Sequence, residues 1–132
     1  MGNDAATATA KITDAMRKIV KDHRLGYVAS VGADGLPNLL PKGTFVVVDG
    51  GSIAFAELPP PNTMKNIRTN PAVEGNFVDP FSRKGYRYRG KARFVGKTDD
   101  GFAGLRPLFD GWGDLAERIS RIFVIDVDRP RC

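Results

Sequence analysis

Few residues in this chain are able to do chemistry on their own. His23 is the single histidine and Cys132 the single cysteine among 132 residues. A Ser-His-Asp or Cys-His device would have to run through His23 alone. Cysteine zinc sites and iron–sulfur clusters need several thiolates and are excluded, as is an intrachain disulfide. His23 closes a helical pattern just after Lys21 and Asp22. A cation there complements the helix dipole, and that capping role outweighs a catalytic one.

Positive charge arranged for phosphates is what remains. Gly85-Tyr86-Arg87-Tyr88-Arg89-Gly90-Lys91 matches the first part of a phosphate loop. It fails at Ala92, where a hydroxyl must hold magnesium, and its alternation is that of a strand. Arg87, Arg89, Lys91 and Arg93 then share one face, with Tyr86 and Tyr88 on the other. An oligonucleotide-binding strand needs stacking aromatics and cations on the same face, so the pattern argues against nucleic acid. A nucleic-acid-binding β-barrel stays as a further alternative. Pro59-Pro60-Pro61 followed by Asn62-Thr63 breaks the chain and caps a helix. Free N–H groups and a hydroxyl at that start suit a phosphate, with Lys65 and Arg68 adding charge, although an ordinary capped helix has the same look. Trp112, between two glycines, is read as buried against the chain itself or a partner.

The elements that must position these groups follow from periodicity. Ile12, Met16, Ile19 and Val20 recur at helical spacing and predict a first helix ending near Leu25-Gly26. Three strands follow, Tyr27–Val31, Asn38–Val48 (interrupted by Pro41 and Gly43) and Ile53–Glu57, joined by turns at Asp34-Gly35 and Asp49-Gly50. A short helix through Met64, Ile67 and Arg68 ends at Asn70-Pro71. Ala72–Val78, Tyr86–Val95 and Arg121–Val127 read as strands, 79–83 as a loop, and Phe102–Leu108 and Asp114–Ser120 as helical. About six strands and two or three short helices without β-α-β alternation predict a mainly β fold, an antiparallel split β-barrel. Residues 1–10 read as a loose end and 11–132 as a single domain.

Composition agrees with such a domain. The hydrophobic share is 42% and the charged share 27%, and a chain of this size buries roughly two-thirds of its unfolded surface. No apolar run approaches the ~20 residues of a membrane span, and Met1–Ala10 has no signal-peptide core, so a cytoplasmic protein is expected. The net charge of +5 points to an anionic partner or to a solvated surface.

Order along the chain is more specific than any one motif. Pro41-Lys42-Gly43-Thr44-Phe45 is followed by Ile53-Ala54-Phe55-Ala56-Glu57, then Asn62-Thr63-Met64-Lys65-Asn66-Ile67 and Asn70-Pro71-Ala72-Val73. Asp79-Pro80 and the Gly85–Ala92 segment come later. From Leu25 to Val127 this resembles the small single-domain members of the pyridoxamine 5'-phosphate oxidase-like, FMN-binding split-barrel family. The resemblance implies a homodimer with FMN between the subunits. Pro41, Lys42, Gly43 and Thr44 would lie along the flavin ring and ribityl chain, with Ala56 and Glu57 beside the cofactor. Asn62, Thr63 and Asn66 would hold the phosphate, assisted by Lys65 or Arg68, and Tyr86 and Arg87 would close the site from the partner subunit. Many family members carry Arg or Lys where this chain has Asn62 and Thr63, which shifts the hold to hydroxyl, amide and backbone groups. No histidine follows His23, whereas true pyridoxamine phosphate oxidases carry a C-terminal arginine and histidine. Vitamin B6 oxidation is therefore not expected. The expected function is a flavin-dependent oxidoreductase acting on a small-molecule substrate or electron donor. Because the cofactor carries the reaction, no catalytic motif is required. A flavin carrier or sensor without turnover is the alternative, and the fold also accepts a deazaflavin.

Overall fold

The structure is a computed structural model and describes residues 12–58 and 65–128. The first helix, α1 (Asp14–His23), starts where Thr13 accepts a hydrogen bond from the Met16 N–H at 3.2 Å. It buries Met16, Ile19 and Val20, the spacing that predicted it. Seven strands follow: β1 (Gly26–Val31), β2 (Pro37–Lys42), β3 (Val46–Asp49), β4 (Ser52–Glu57), β5 (Ala72–Asp79), β6 (Lys84–Gly96) and β7 (Arg121–Val127). They form one antiparallel sheet in the order β2-β1-β5-β6-β7-β4-β3. Helical pieces at Lys65–Arg68 (a 3-10 turn), α2 (Phe102–Leu105), Arg106–Trp112 (3-10) and α3 (Asp114–Glu117) complete the described chain. The mainly β, split-barrel expectation holds, with one more strand than predicted.

The extra strand comes from the segment read as a single strand over Asn38–Val48. It is two strands, β2 and β3, at opposite edges of the sheet. Pro41 brings no ladder donor, and Gly43, Thr44 and Phe45 carry the chain across. Thr44 fixes that crossing: its Oγ1 accepts from the Ala56 N–H at 2.9 Å and donates to the Ala56 carbonyl at 3.3 Å. Phe45 N–H reaches back to the Arg24 carbonyl at 3.1 Å. Smaller differences follow the same logic. β5 runs on to Asp79, whose side chain accepts from the Phe81 N–H and so starts the turn only there. The helix expected from Phe102 tightens to 3-10 geometry at Arg106, just before Pro107, and continues through Gly111 and Trp112. The predicted loose N-terminal end at 1–10 lies outside the described residues.

Apolar side chains divide into two layers. Inside the barrel Phe45, Phe55, Phe77, Tyr88 and Phe123 pack with α1. On the other face of β3, β4 and β7, Val46, Ala54, Ala56, Ile122 and Val124 lie under Phe109, Ala116 and Ile119. Trp112 packs on Phe109 at 5.6 Å between centroids and is partly buried, where burial was expected. A side chain at Gly75 has no room: its Cβ would strike the Tyr27 carbonyl and the Tyr88 phenol. That bare position lets the buried Tyr88 hydroxyl donate to the Tyr27 carbonyl at 2.9 Å. No described helix is long and apolar enough to cross a membrane.

Candidate functional site

At one end of the barrel the inward-facing positions stop being apolar. Glu57 ends β4 two residues beyond Phe55, on the same face, and is 3% exposed. The ladder places Arg121 of β7 directly opposite it and Gly96 of β6 opposite Arg121. Arg121 donates to one Glu57 oxygen from Nη2 at 2.7 Å and from Nε at 3.1 Å. Its guanidinium also lies over Phe94 (5.1 Å) and Phe123 (5.5 Å). Arg68, from the 3-10 turn, lies over the same Phe94 ring at 4.9 Å. Lys42, at the end of β2, stands over Phe55 at 5.6 Å. Partial burial pushes its ammonium below the ordinary lysine value, and the Glu57 carboxylate opposes that shift.

Arg121 and Lys42 therefore face one buried carboxylate at the mouth of the barrel, and the exposed Arg68 joins Arg121 on the Phe94 ring. Among the described residues this group holds more positive than negative charge, which favours an anion. Beside it the backbone of the crossing segment is open, since a Cβ added to Gly43 would meet nothing within 4 Å. Ser120 seals the β4 end by donating from Oγ to the Glu57 carbonyl at 3.0 Å. The far face of Ala56 is closed: only about 10 Å³ is left between Thr44, Ala56, Phe109 and Trp112.

Of the residues singled out in the sequence, Lys42, Gly43, Thr44, Ala56 and Glu57 come together here. Lys65 and Asn66 open the 3-10 turn that ends at Arg68. Asn62 and Thr63 lie outside the described residues. Tyr86 and Arg87 are elsewhere. Arg87 shares a transverse row with Asn76, Tyr27 and Pro41, three strands from β2. There it helps line a shallow groove of about 430 Å³ with Tyr27, Leu39, Glu74 and Val78. Sequence reasoning missed Arg121, Phe94 and Ser120, because only strand pairing brings them to Glu57. β6 keeps the expected alternation, with Tyr88 inward and Arg87, Arg89, Lys91 and Arg93 outward. His23 sits at the α1 terminus with Nε2 3.5 Å from Asp79 Oδ1. Among the described residues no group of three or more His, Cys, Asp or Glu is placed to hold a metal ion.

An antiparallel sheet split into two edges by a three-residue crossing, with charge gathered beside it, defines a class, and comparison with known proteins agrees. The chain belongs to the pyridoxamine 5'-phosphate oxidase family, whose model matches residues 12–127. Among solved structures it is similar to HupZ of Group A Streptococcus, at 27% identity and a TM-score of 0.75 over 90% of this chain and 91% of that one. It shares its fold with a pyridoxamine 5'-phosphate oxidase-related, FMN-binding protein of Nostoc punctiforme (14% identity, TM-score 0.62, 86% and 78% covered). HutZ, the heme storage protein of Vibrio cholerae, has the same fold (14% identity, TM-score 0.67, 92% of each chain). No curated protein matches the chain.

Proposed function

We propose that this protein binds FMN between two copies of the chain and works as a flavin-dependent oxidoreductase. The observation that carries the reading is the gathering of Lys42, Arg68 and Arg121 around the aromatic rings and the buried Glu57 at the barrel mouth, next to the exposed Gly43 backbone. Lys42 and the exposed backbone at Gly43 are suited to the electron-rich edge of a flavin, and Arg68 and Arg121 to its phosphate. Bound flavin supplies the redox chemistry. The chain's own part is to fix donors, exclude water and present one ring face. Tyr86 and Arg87 lie too far along the sheet to join Lys42 within one subunit, which supports their acting on a partner's site. The half-exposed Tyr27, Leu39 and Val78 give that second copy an apolar seat.

Purified protein is expected to be yellow, with one FMN per chain identified by mass spectrometry. Colourless protein that gains no thermal stability from added FMN overturns the proposal. Rapid mixing of the flavin-loaded dimer with NADH or NADPH separates an oxidoreductase from a carrier or sensor, since a carrier is not reduced at a useful rate. Hemin is the control ligand because HutZ shares the fold. Stoichiometric hemin binding with no flavin binding replaces the flavin reading.

A further inference from the structure

Six described cations, Lys18, Arg87, Arg89, Arg93, Arg106 and Arg121, each have a carboxylate at 2.7–3.9 Å. Arg17, Lys21 and Arg24 have none among the described residues, and all three border one cavity of about 260 Å³. Its remaining wall is apolar, Val47 and Leu108 being the parts that reach the surface, and no acidic residue among those described lines it. Like charges converging on a space without a counterion repel one another, so the arrangement is unfavourable until an anion enters.

Local structure shows how they are held there. Positions 17, 21 and 24 fall on one face of α1 and its exit. Arg24 takes the left-handed conformation (φ 63°, ψ −10°), the C-terminal position where glycine is usual. An arginine accepts a conformational cost to be there. Its Nε donates to the Lys21 carbonyl at 3.3 Å, and its guanidinium rests on the Trp112 ring at 4.7 Å. Dipole complementation explains a cation at a helix end. It does not explain three that border one apolar-walled cavity without a carboxylate.

We propose that this cavity binds a small organic anion with a compact apolar body, an aromatic carboxylate being its simplest form. The carboxylate sits among Arg17, Lys21 and Arg24, and the ring lies on Val47 and Leu108. The site shares no residue with the Lys42–Glu57–Arg121 cluster and stands whether or not flavin binds. A volume of about 260 Å³ accepts one or two fused rings, slightly below the range of drug-sized pockets.

The test compares naphthoate with naphthamide, the same rings without the charge, by NMR titration of the full chain. Trp112 is the sole tryptophan, so a single indole N–H resonance reports on the Arg24 side of the cavity. Naphthoate is expected to shift that resonance and the amides of residues 17–24 saturably. It should bind about tenfold more tightly than naphthamide, the worth of one or two charge-assisted hydrogen bonds. Added salt should weaken naphthoate and leave naphthamide unchanged. In the double variant Arg17→Gln/Lys21→Gln, both side chains being exposed, the fold should persist and the preference for naphthoate should disappear. Equal affinity for the two probes in the wild-type chain overturns the proposal. So does an indole resonance that does not move, or a preference that survives in the double variant.

Discussion

The barrel mouth and the outer face of β6 use the same residue types in opposite ways. At the mouth, Glu57 is buried and shares its surroundings with Arg121 and Lys42. On the outer face, Glu74 meets Arg89 at 2.9 Å and Arg87 at 3.9 Å, and Asp126 meets Arg93 at 3.4 Å, all in solvent. Water screens the second set and leaves each pair worth little. The first set has lost part of its water, so each charge depends on the others. Salt-bridge geometry alone does not tell the two regions apart, because both contain a contact below 3 Å. Burial does, and a ligand's charge is screened least where the protein's own charges have lost part of their water.

Removing one member of each set is the sharpest test of this contrast. Arg121→Ala leaves the Glu57 carboxylate buried with less compensation and is expected to cost about 3 kcal/mol of stability. Urea unfolding read by circular dichroism measures it. A loss below about 1 kcal/mol, the range of exposed pairs, would place the mouth in the same class as the outer face. Gly75→Ala comes next. It touches no charge, yet its methyl group displaces Tyr88 from the Tyr27 carbonyl, and a loss of about 2 kcal/mol is expected from overpacking. Gly43→Ala, with open space around it, should be near neutral and serves as the control.

That asymmetry also marks what was legible in the sequence. Strand alternation placed Tyr88 inside and Arg87, Arg89, Lys91 and Arg93 outside, because period two depends on each strand alone. The turns at Asp34 and Asp49 were equally local, each with the aspartate side chain accepting from an N–H two residues on. The Asn38–Val48 segment was misread because its break depends on Thr44 finding the Ala56 backbone, twelve residues away in sequence. One member of the charged cluster was likewise hidden. Lys42, Glu57 and Arg68 were named from the sequence, whereas Arg121 reaches Glu57 only through the β4–β7 register. No spacing along a single chain encodes a partner 64 residues away.

Two titrations extend the comparison to pH. Burial pushes the Tyr88 phenol far above its ordinary 10.0. In the unfolded chain the phenol ionises near pH 10, while in the fold it stays neutral. Its contribution is therefore complete below pH 10 and is lost as pH rises above it. Tyr88→Phe, which gives up the hydrogen bond to Tyr27, should cost about 1 kcal/mol at neutral pH and lessen the alkaline loss. Lys42 works in the other direction. Its folded value is lowered, so burying its charge weakens the fold below that value and the cost is relieved as pH rises. An anion bound beside it favours the charged form. FMN affinity should thus fall as pH climbs through the lowered value, and Lys42→Met should bind FMN more weakly at neutral pH with a flatter pH profile. A wild-type profile as flat as the variant's would remove Lys42 from the site.

The smallest effect is expected at Glu74, which serves two arginines. Its side chain is 39% exposed and both guanidiniums about half, so each loses little hydration on pairing. Glu74→Gln keeps the shape, removes the charge, and should change stability by no more than about 0.5 kcal/mol. What change there is should shrink further in 0.5 M salt, roughly, where the screening length falls below the spacing of neighbouring strands. A loss near 2 kcal/mol, on the scale of buried polar groups, would mean that the outer face is covered in the working protein. A second chain lying over Tyr27, Leu39 and Arg87 would do that. The same measurement at several protein concentrations decides it, because only cover supplied by another copy makes the loss concentration-dependent.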